Sequence, residues 1–244
     1  MNAPGSGTQP GNSPGELLVL AADGRTPYTI IVASDAGVPC RHAAEELQRF
    51  LHEITGAKLP ISSDDAPPGE REVLVGNSAR LGRIGVELDP AALGTDGYVL
   101  ATAGPHLVIA GGEPRGTLYG VYGFLHDHLG SRWFTTGHST IPSIPRLTVP
   151  AVRETYVPPL TFRNFMLFGA ADADWCARNH LNGMDSEATA LQGGKLTHWQ
   201  YGHSFDSLVP AKRYYDSHPE YFALIDGERR RENTQLCCTS EGAI

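Results

Sequence analysis

Residues 41–55, RHAAEELQRFLHEIT, and residues 114–129, PRGTLYGVYGFLHDHL, decide the fold. In the first stretch Ala43, Ala44, Leu47, Phe50, Leu51 and Ile54 recur at steps of three and four, which places one apolar stripe along a helix. Gly56 follows where a left-handed C-cap is expected. In the second, Leu118, Val121, Tyr122, Leu125 and Leu129 form a similar stripe, and Pro114 suits a first helical turn, where its missing amide has no cost. Two such helices need a surface to cover.

The segments around them supply it. Glu16–Ala22, Tyr28–Ala33, Val73–Gly76 and Arg146–Val149 read as strands. Gly97–Thr102 and Leu107–Ala110 read as a hairpin around Ala103-Gly104-Pro105, and Arg132–Phe134 as a further strand. The order is β-β-α-β-β-β-α-β, and its economical solution is an α+β domain, a mixed sheet with the helices packed on one face. Val152–Pro159, with Pro158-Pro159, reads as a linker, which puts a boundary near residue 155. This first domain spans 16–155. Residues 1–15, MNAPGSGTQPGNSPG, read as a disordered tail without the basic start or apolar run of a signal peptide.

Beyond residue 155 the composition turns to aromatics, histidines and irregular stretches. Leu160–Phe168 reads as a strand, Asp172–Leu181 as a helix, Pro210–Ser217 as a short helix, Tyr221–Ile225 as a strand turning at Asp226-Gly227, and Gln235–Cys238 as a strand. Thr239 or Ser240 would cap a helix that starts at Glu241 and stops after four residues, which leads us to expect a longer parent chain.

Of the 244 residues, 41% are hydrophobic and 19% charged, with a formal net charge of −8. That supports a packed core and disfavours nucleic acid and anionic membranes as partners. No run approaches the ~20 apolar residues of a membrane span. Neutral or sugar-like ligands suit the balance better, and the sequence as written reads as cytoplasmic. Cys40, Cys176, Cys237 and Cys238 make no CxxC pair. Cys237 and Cys238, adjacent in an expected strand, would face opposite ways, so buried free thiols are expected.

Gly111–Thr117 (GGEPRGT) is a glycine-rich turn before a helix, but it lacks the Lys-Ser/Thr of a phosphate loop. Gly116, Gly120 and Gly123 are better explained by close packing of helix on sheet. His126-Asp127-His128 puts its histidines at i and i+2, off a common helix face, so no metal site is expected, nor any cofactor. The second part offers Arg163, Asn164, Trp175, Asn179, His180, Asn182, His198, Trp199, Tyr201 and His203. Aromatic faces for sugar rings beside Arg, Asn and His for hydroxyls are what a carbohydrate cleft needs, while core aromatics and locally satisfied histidines explain the same residues equally well. Arg163, Asn164, Trp199 and His203 are the substrate-binding candidates. Glycoside hydrolysis uses two carboxyl groups ~5–9.5 Å apart; among Asp185, Glu187, Asp206, Asp216, Glu220, Asp226 and Glu228 no pair is marked out, so the catalytic residues stay unassigned.

RYYDSHPEYFALIDGERR (213–230, with Tyr215, His218–Phe222 and Asp226-Gly227) and NTQLCCTS (233–240) resemble an uncharacterised glycosidase-like bacterial family, the domain of unknown function 4838. AAEELQRFLHEITGAKLPI, VLVGNS, DGYVL and GTLYGVYGFL are similar to the accessory domain ahead of the barrel in family 20 hexosaminidases and family 67 alpha-glucuronidases. The resemblance covers residues 16–244. It implies that 16–155 is an accessory domain and that 156–244 holds the first strands and helices of a (β/α)8 TIM-type barrel, which needs about 250 residues. It places Arg163 on the first barrel strand and His203 in a loop at the same end, as sugar contacts. The implied function is glycoside hydrolysis on a glycan or uronic-acid-bearing oligosaccharide, with the catalytic carboxylates on strands this chain lacks. The alternatives are a non-catalytic carbohydrate-binding module and a purely structural one. Oligomeric state and export stay open.

Overall fold

The computed structural model describes residues 17–166, 171–183, 185–197, 204–231 and 235–243. The expected tail, 1–15, lies outside them. The chain divides into two compact units, one ending at Leu196 and the other beginning at Thr197. The change of composition near residue 155 thus precedes the break in packing.

In the first unit, β1 (Leu18–Ala22) leads to β2 (Thr29–Val32), α1 (Val38–Thr55), β3 (Ile61–Ser63) and β4 (Glu72–Val75). After a 3-10 turn at Leu81–Ile84 come α2 (Pro90–Leu93), β5 (Tyr98–Ala103), β6 (His106–Gly111) and α3 (Gly116–Gly123). A π-helical turn, Phe124–His128, continues α3, followed by β7 (Arg132–Thr135), β8 (His138–Thr140), β9 (Arg146–Val149), β10 (Arg153–Tyr156) and α4 (Ala173–Arg178). Six strands form one mixed sheet in the order β10-β5-β6-β4-β2-β3. β6, β4, β2 and β3 run parallel, and β5 is antiparallel to both β6 and β10. β1–β9 and β7–β8 are separate antiparallel pairs.

The expected α+β architecture is present. Strand alternation sends Ile30, Val32, Val73, Val75, Leu100 and Ile109 to one face, where they meet Leu47, Leu51 and Ile54 of α1 and Leu118 and Val121 of α3. Both major helices share that face. Ile31, Leu74, Ala101 and Val108 point the other way and are covered by Leu81 and Val86 rather than by a long helix. α1 begins at Val38, earlier than expected, because Pro39 fits its first turn; Gly56 closes it at φ 74°. α3 begins only at Gly116, so Pro114 lies outside it. Gly116, Gly120 and Gly123 do let it approach the sheet: a Cβ on Gly116 would collide with the Gly97 carbonyl, and one on Gly123 with the Tyr98 phenol.

Three expectations change. Arg153–Tyr156, expected within a linker, pairs with β5 as an exposed edge strand. Residues 160–166 of the expected strand are not one; 167–168 lie outside the described residues. Their backbone is satisfied elsewhere: the Leu160 carbonyl accepts from Arg163, the Arg163 amide donates to Asn182 Oδ1, and the Arg163 carbonyl accepts from the Asn182 amide. Gln235–Cys238 contributes a single bridge, Leu236 to Phe222. No barrel is formed among the described residues.

The second unit contains α5 (Phe205–Leu208), α6 (Ala211–Tyr214), a 3-10 turn at Pro219–Tyr221, and a small hairpin of β11 (Leu224–Ile225) and β12 (Glu228–Arg229). Asp226 and Gly227, both at positive φ, make its turn as expected. Phe222 is its buried centre, with Tyr215 5.3 Å away, and His218 stacks on Tyr221 at 4.6 Å. The HPEYF run therefore builds a local aromatic core. Glu241–Ala243 forms a 3-10 turn where a helix start was expected. All four cysteines are free, but only Cys40 and Cys176 are buried; Cys238 is exposed because it follows an isolated bridge rather than lying inside a sheet. No helix among the described residues is long and apolar enough to cross a membrane.

Candidate functional site

Among the four sequence candidates, Arg163 and Asn164 fall within the described residues; Trp199 and His203 lie outside them. Arg163 is anchored within the first unit. Its Nε donates to the His180 carbonyl at 2.6 Å, one terminal nitrogen to the Leu160 carbonyl at 2.7 Å, and the other to Asp96 Oδ2 at 2.6 Å. The guanidinium also lies 5.6 Å from the Tyr119 ring. Each of its three guanidinium nitrogens has a protein partner. Asn164 is tied to Asp185: its amide nitrogen donates to the carboxylate, and its oxygen accepts from the Asp185 amide at 3.3 Å.

Asp96 is the organising acid. It lies in the turn between α2 and β5, 6% exposed, and receives Arg115 Nε at 2.7 Å as well as Asn182 Nδ2 at 2.7 Å. Burial on its own would raise its pKa, but the hydrogen bonds from Arg163 and Arg115 and the Arg115 charge outweigh it and hold the carboxyl below the usual range. Arg115 reaches on to the Gly193 carbonyl at 3.2 Å. A single carboxylate thus links β5, the start of α3, residues 160–163 and the loops after α4.

A second buried acid does the same from α1. Glu46 accepts from Tyr122 Oη at 2.9 Å, Arg49 Nε at 2.9 Å and Arg178 at 3.2 Å. Arg178 also pairs with Asp174, which accepts from Gln192 at 2.9 Å. Neither hub was foreseen. Glu46 gives one usable signal, a carboxylate within the apolar stripe of α1, whereas Asp96 is disguised as an Asp-Gly turn.

Clefts open beside both hubs. One of about 250 Å³ is lined by Leu93, Asp96, Val157, Leu160 and Arg163. Another, about 200 Å³, lies among α1, the β7–β8 pair and α4, with Arg49, Glu53, Trp133, Asp172, Trp175 and Arg178 on its walls. It has the aromatic, guanidinium and carboxylate groups that bond sugar hydroxyls. Two of its acids are committed, however: Asp172 caps α4 by accepting the Trp175 amide at 2.6 Å, and Asp174 holds Arg178 and Gln192. Trp175 Nε1 itself donates to the Trp133 carbonyl at 3.1 Å. His126 meets Asp127 at 2.5 Å, and His128 meets Glu154 at 3.2 Å. No group of side chains fit to hold a metal occurs among the described residues.

Residues 21–124 match the glycosyl hydrolase family 67 N-terminus, and residues 133–244 match a domain of unknown function, DUF4838. Alpha-glucuronidase A of Emericella nidulans is 30% identical over 112 residues, covering 45% of this chain and 13% of that enzyme. This chain therefore spans a small part of the length of that relative. Similar solved structures include a family GH115 4-O-methyl-alpha-glucuronidase with specificity for decorated arabinogalactans, at 19% identity and TM-score 0.42, covering 60% of this chain and 19% of that one. The GH20 beta-N-acetylhexosaminidase of Streptomyces coelicolor A3(2) is 19% identical with TM-score 0.38, covering 62% and 26%.

Proposed function

We propose that this chain, which matches a family 67 N-terminus followed by a DUF4838 domain, is part of a glycoside hydrolase acting on a glycan or a uronic-acid-bearing oligosaccharide. The observation that carries this reading is the order of the two matched domains, supported by the 30% identity to an alpha-glucuronidase. In this reading residues 16–155 are the accessory domain and 156–244 contribute the opening segments of a (β/α)8 barrel. The catalytic carboxylates belong to parts of the parent enzyme with no counterpart in these 244 residues. Arg163, through Asp96, ties residues 160–163 to the accessory domain. Arg163, Asn164, Trp199 and His203 are the sugar-contact candidates.

The test is turnover of a panel of aryl glycosides and glucuronate-bearing oligosaccharides by this chain and by a full-length protein with the same two domains. Turnover by the full-length protein alone is the expected result. Activity of the 244-residue chain would overturn the placement of catalysis elsewhere, and inactivity of both would sink the hydrolase reading. The second reading, a non-catalytic carbohydrate-binding module, is favoured by one observation: Asp172 and Asp174, the acids beside Trp175, are engaged in structural contacts.

A further inference from the structure

A cleft of about 230 Å³ opens where β5, the π-helical turn, β10 and the end of α4 meet. We propose that it is a binding subsite for one neutral pyranose unit of a glycan, formed by Tyr98, Tyr156, Asp127 and Asn179. The proposal rests on the glycan-acting reading and names a ligand class for a surface that reading leaves unassigned.

Tyr98 supplies the first observation. It is 5% exposed, yet its phenol makes no hydrogen bond among the described residues and opens on the cleft. The ring is packed while the hydroxyl reaches the open space of the cleft, where it is available to a ligand as donor and acceptor. Tyr156 supplies the second. It is 39% exposed, its ring centroid lies 5.2 Å from that of Tyr98 and 6.1 Å from that of His180, and together the three rings form an aromatic wall. Such a wall suits the C–H face of a pyranose.

The polar groups complete the arrangement. Asn179 spends its amide nitrogen on the Trp133 and Trp175 carbonyls, at 3.2 and 2.9 Å, which leaves its oxygen to accept from a sugar hydroxyl. Asp127 accepts from the other side. The backbone around the cleft is special in two places. His180 stands at φ 57°, held there by Arg163 on its carbonyl, and residues 124–128 form a π-helical turn. Both kinds of irregularity gather at functional sites.

Charge selects a neutral ligand. Arg178, the cleft's cation, is already paired with Glu46 and Asp174, while Asp127 and Glu154 impose a negative field on Tyr98. A uronate would be repelled; an uncharged hexose or pentose would not.

Calorimetric titration of the 244-residue chain tests this, with xylotetraose, cellotetraose and galactotetraose as neutral probes and tetragalacturonate as the anionic one. Saturable binding of a neutral probe is expected. Tyr98→Phe, which keeps the packed ring, should weaken it roughly 3- to 10-fold. Tyr156→Ala should weaken it about 10-fold. Asp127→Asn, at an exposed position that leaves the fold intact, should weaken it about threefold or more. Wild-type affinity in Tyr98→Phe and Asp127→Asn would overturn the subsite while leaving glycan binding standing. Preference for tetragalacturonate would overturn the neutral ligand. Absence of binding by every probe would also overturn the subsite, and the turnover assay of the full-length protein would still judge the hydrolase reading separately.

Discussion

Arg163 donates to Asp96 across 2.6 Å and joins points 67 residues apart, so the first segment after the six-stranded sheet is held by the acid that also holds the start of α3. Both partners are largely buried, at 13% and 8% side-chain exposure. In such a setting the value of a pair appears when one member is removed, because the other is left charged and unpaired.

Asp96→Ala should therefore cost about 3–5 kcal/mol in urea unfolding, with the slope of the transition unchanged. The same acid makes a pH prediction. Its folded pKa lies below the ~3.9 of an unfolded aspartate, so its contribution is present above that value and is lost as pH falls through the folded pKa. Asp96→Ala should lose less stability than the wild type on acidification below pH ~4. An equal acid loss in both proteins would remove Asp96 from the account.

Glu46 offers a cycle rather than a single change. Glu46→Ala strands Arg178 and the Tyr122 hydroxyl in a buried position and should cost about 3 kcal/mol or more. Combining Glu46→Leu with Arg178→Leu and Tyr122→Phe removes the stranded partners and should recover over half of that loss. Thermal and urea unfolding of the three proteins would decide it; a triple variant no better than Glu46→Ala would mean the hub's value lies in shape rather than charge.

The architecture was readable from the residues wherever periodicity and burial coincide. The stripes of α1 and α3 and the apolar strands β2, β4 and β6 stand out because one face, or both, must be covered. β3 and β10 escaped because three- and four-residue edge strands with exposed side chains carry no alternation to detect. The π-helical turn escaped because Leu125 and Leu129 fit an α-helical stripe as well as a wider one. At the site, Arg163 was visible as a residue but its bond to Asp96 was not, because no local pattern connects an Asp-Gly turn with an arginine in another segment.

The glycines of α3 divide by what a methyl group would meet. At Gly116 a Cβ runs into the Gly97 and Gly111 backbone, which cannot move without disturbing β5 and β6. At Gly123 it meets the phenol end of Tyr98. Gly116→Ala should cost about 3 kcal/mol and resist rescue, whereas Gly123→Ala should be partly rescued by Tyr98→Phe. Melting temperatures of the two single variants, each with and without Tyr98→Phe, separate the cases; equal rescue of both would show that the Gly97 contact is not limiting.

His180 turns the same region into a pH-dependent one. Burial lowers its pKa to about 4, with the nearby Arg163 charge adding to the effect, while a bond to the Tyr119 backbone opposes it. An unfolded histidine titrates near ~6.5, so between that value and about 4 the unfolded chain binds a proton that the folded one refuses. Stability is therefore complete above pH ~6.5 and declines on acidification to about 4, by on the order of 2–3 kcal/mol. His180→Asn removes the titrating ring and keeps a residue that tolerates the left-handed backbone at φ 57°. Its unfolding free energy should be flatter than that of the wild type between pH 6.5 and 4. Parallel curves for the two proteins would place the acid sensitivity at another histidine, and an NMR titration of His180 showing an ordinary imidazole pKa would refute the buried neutral ring directly.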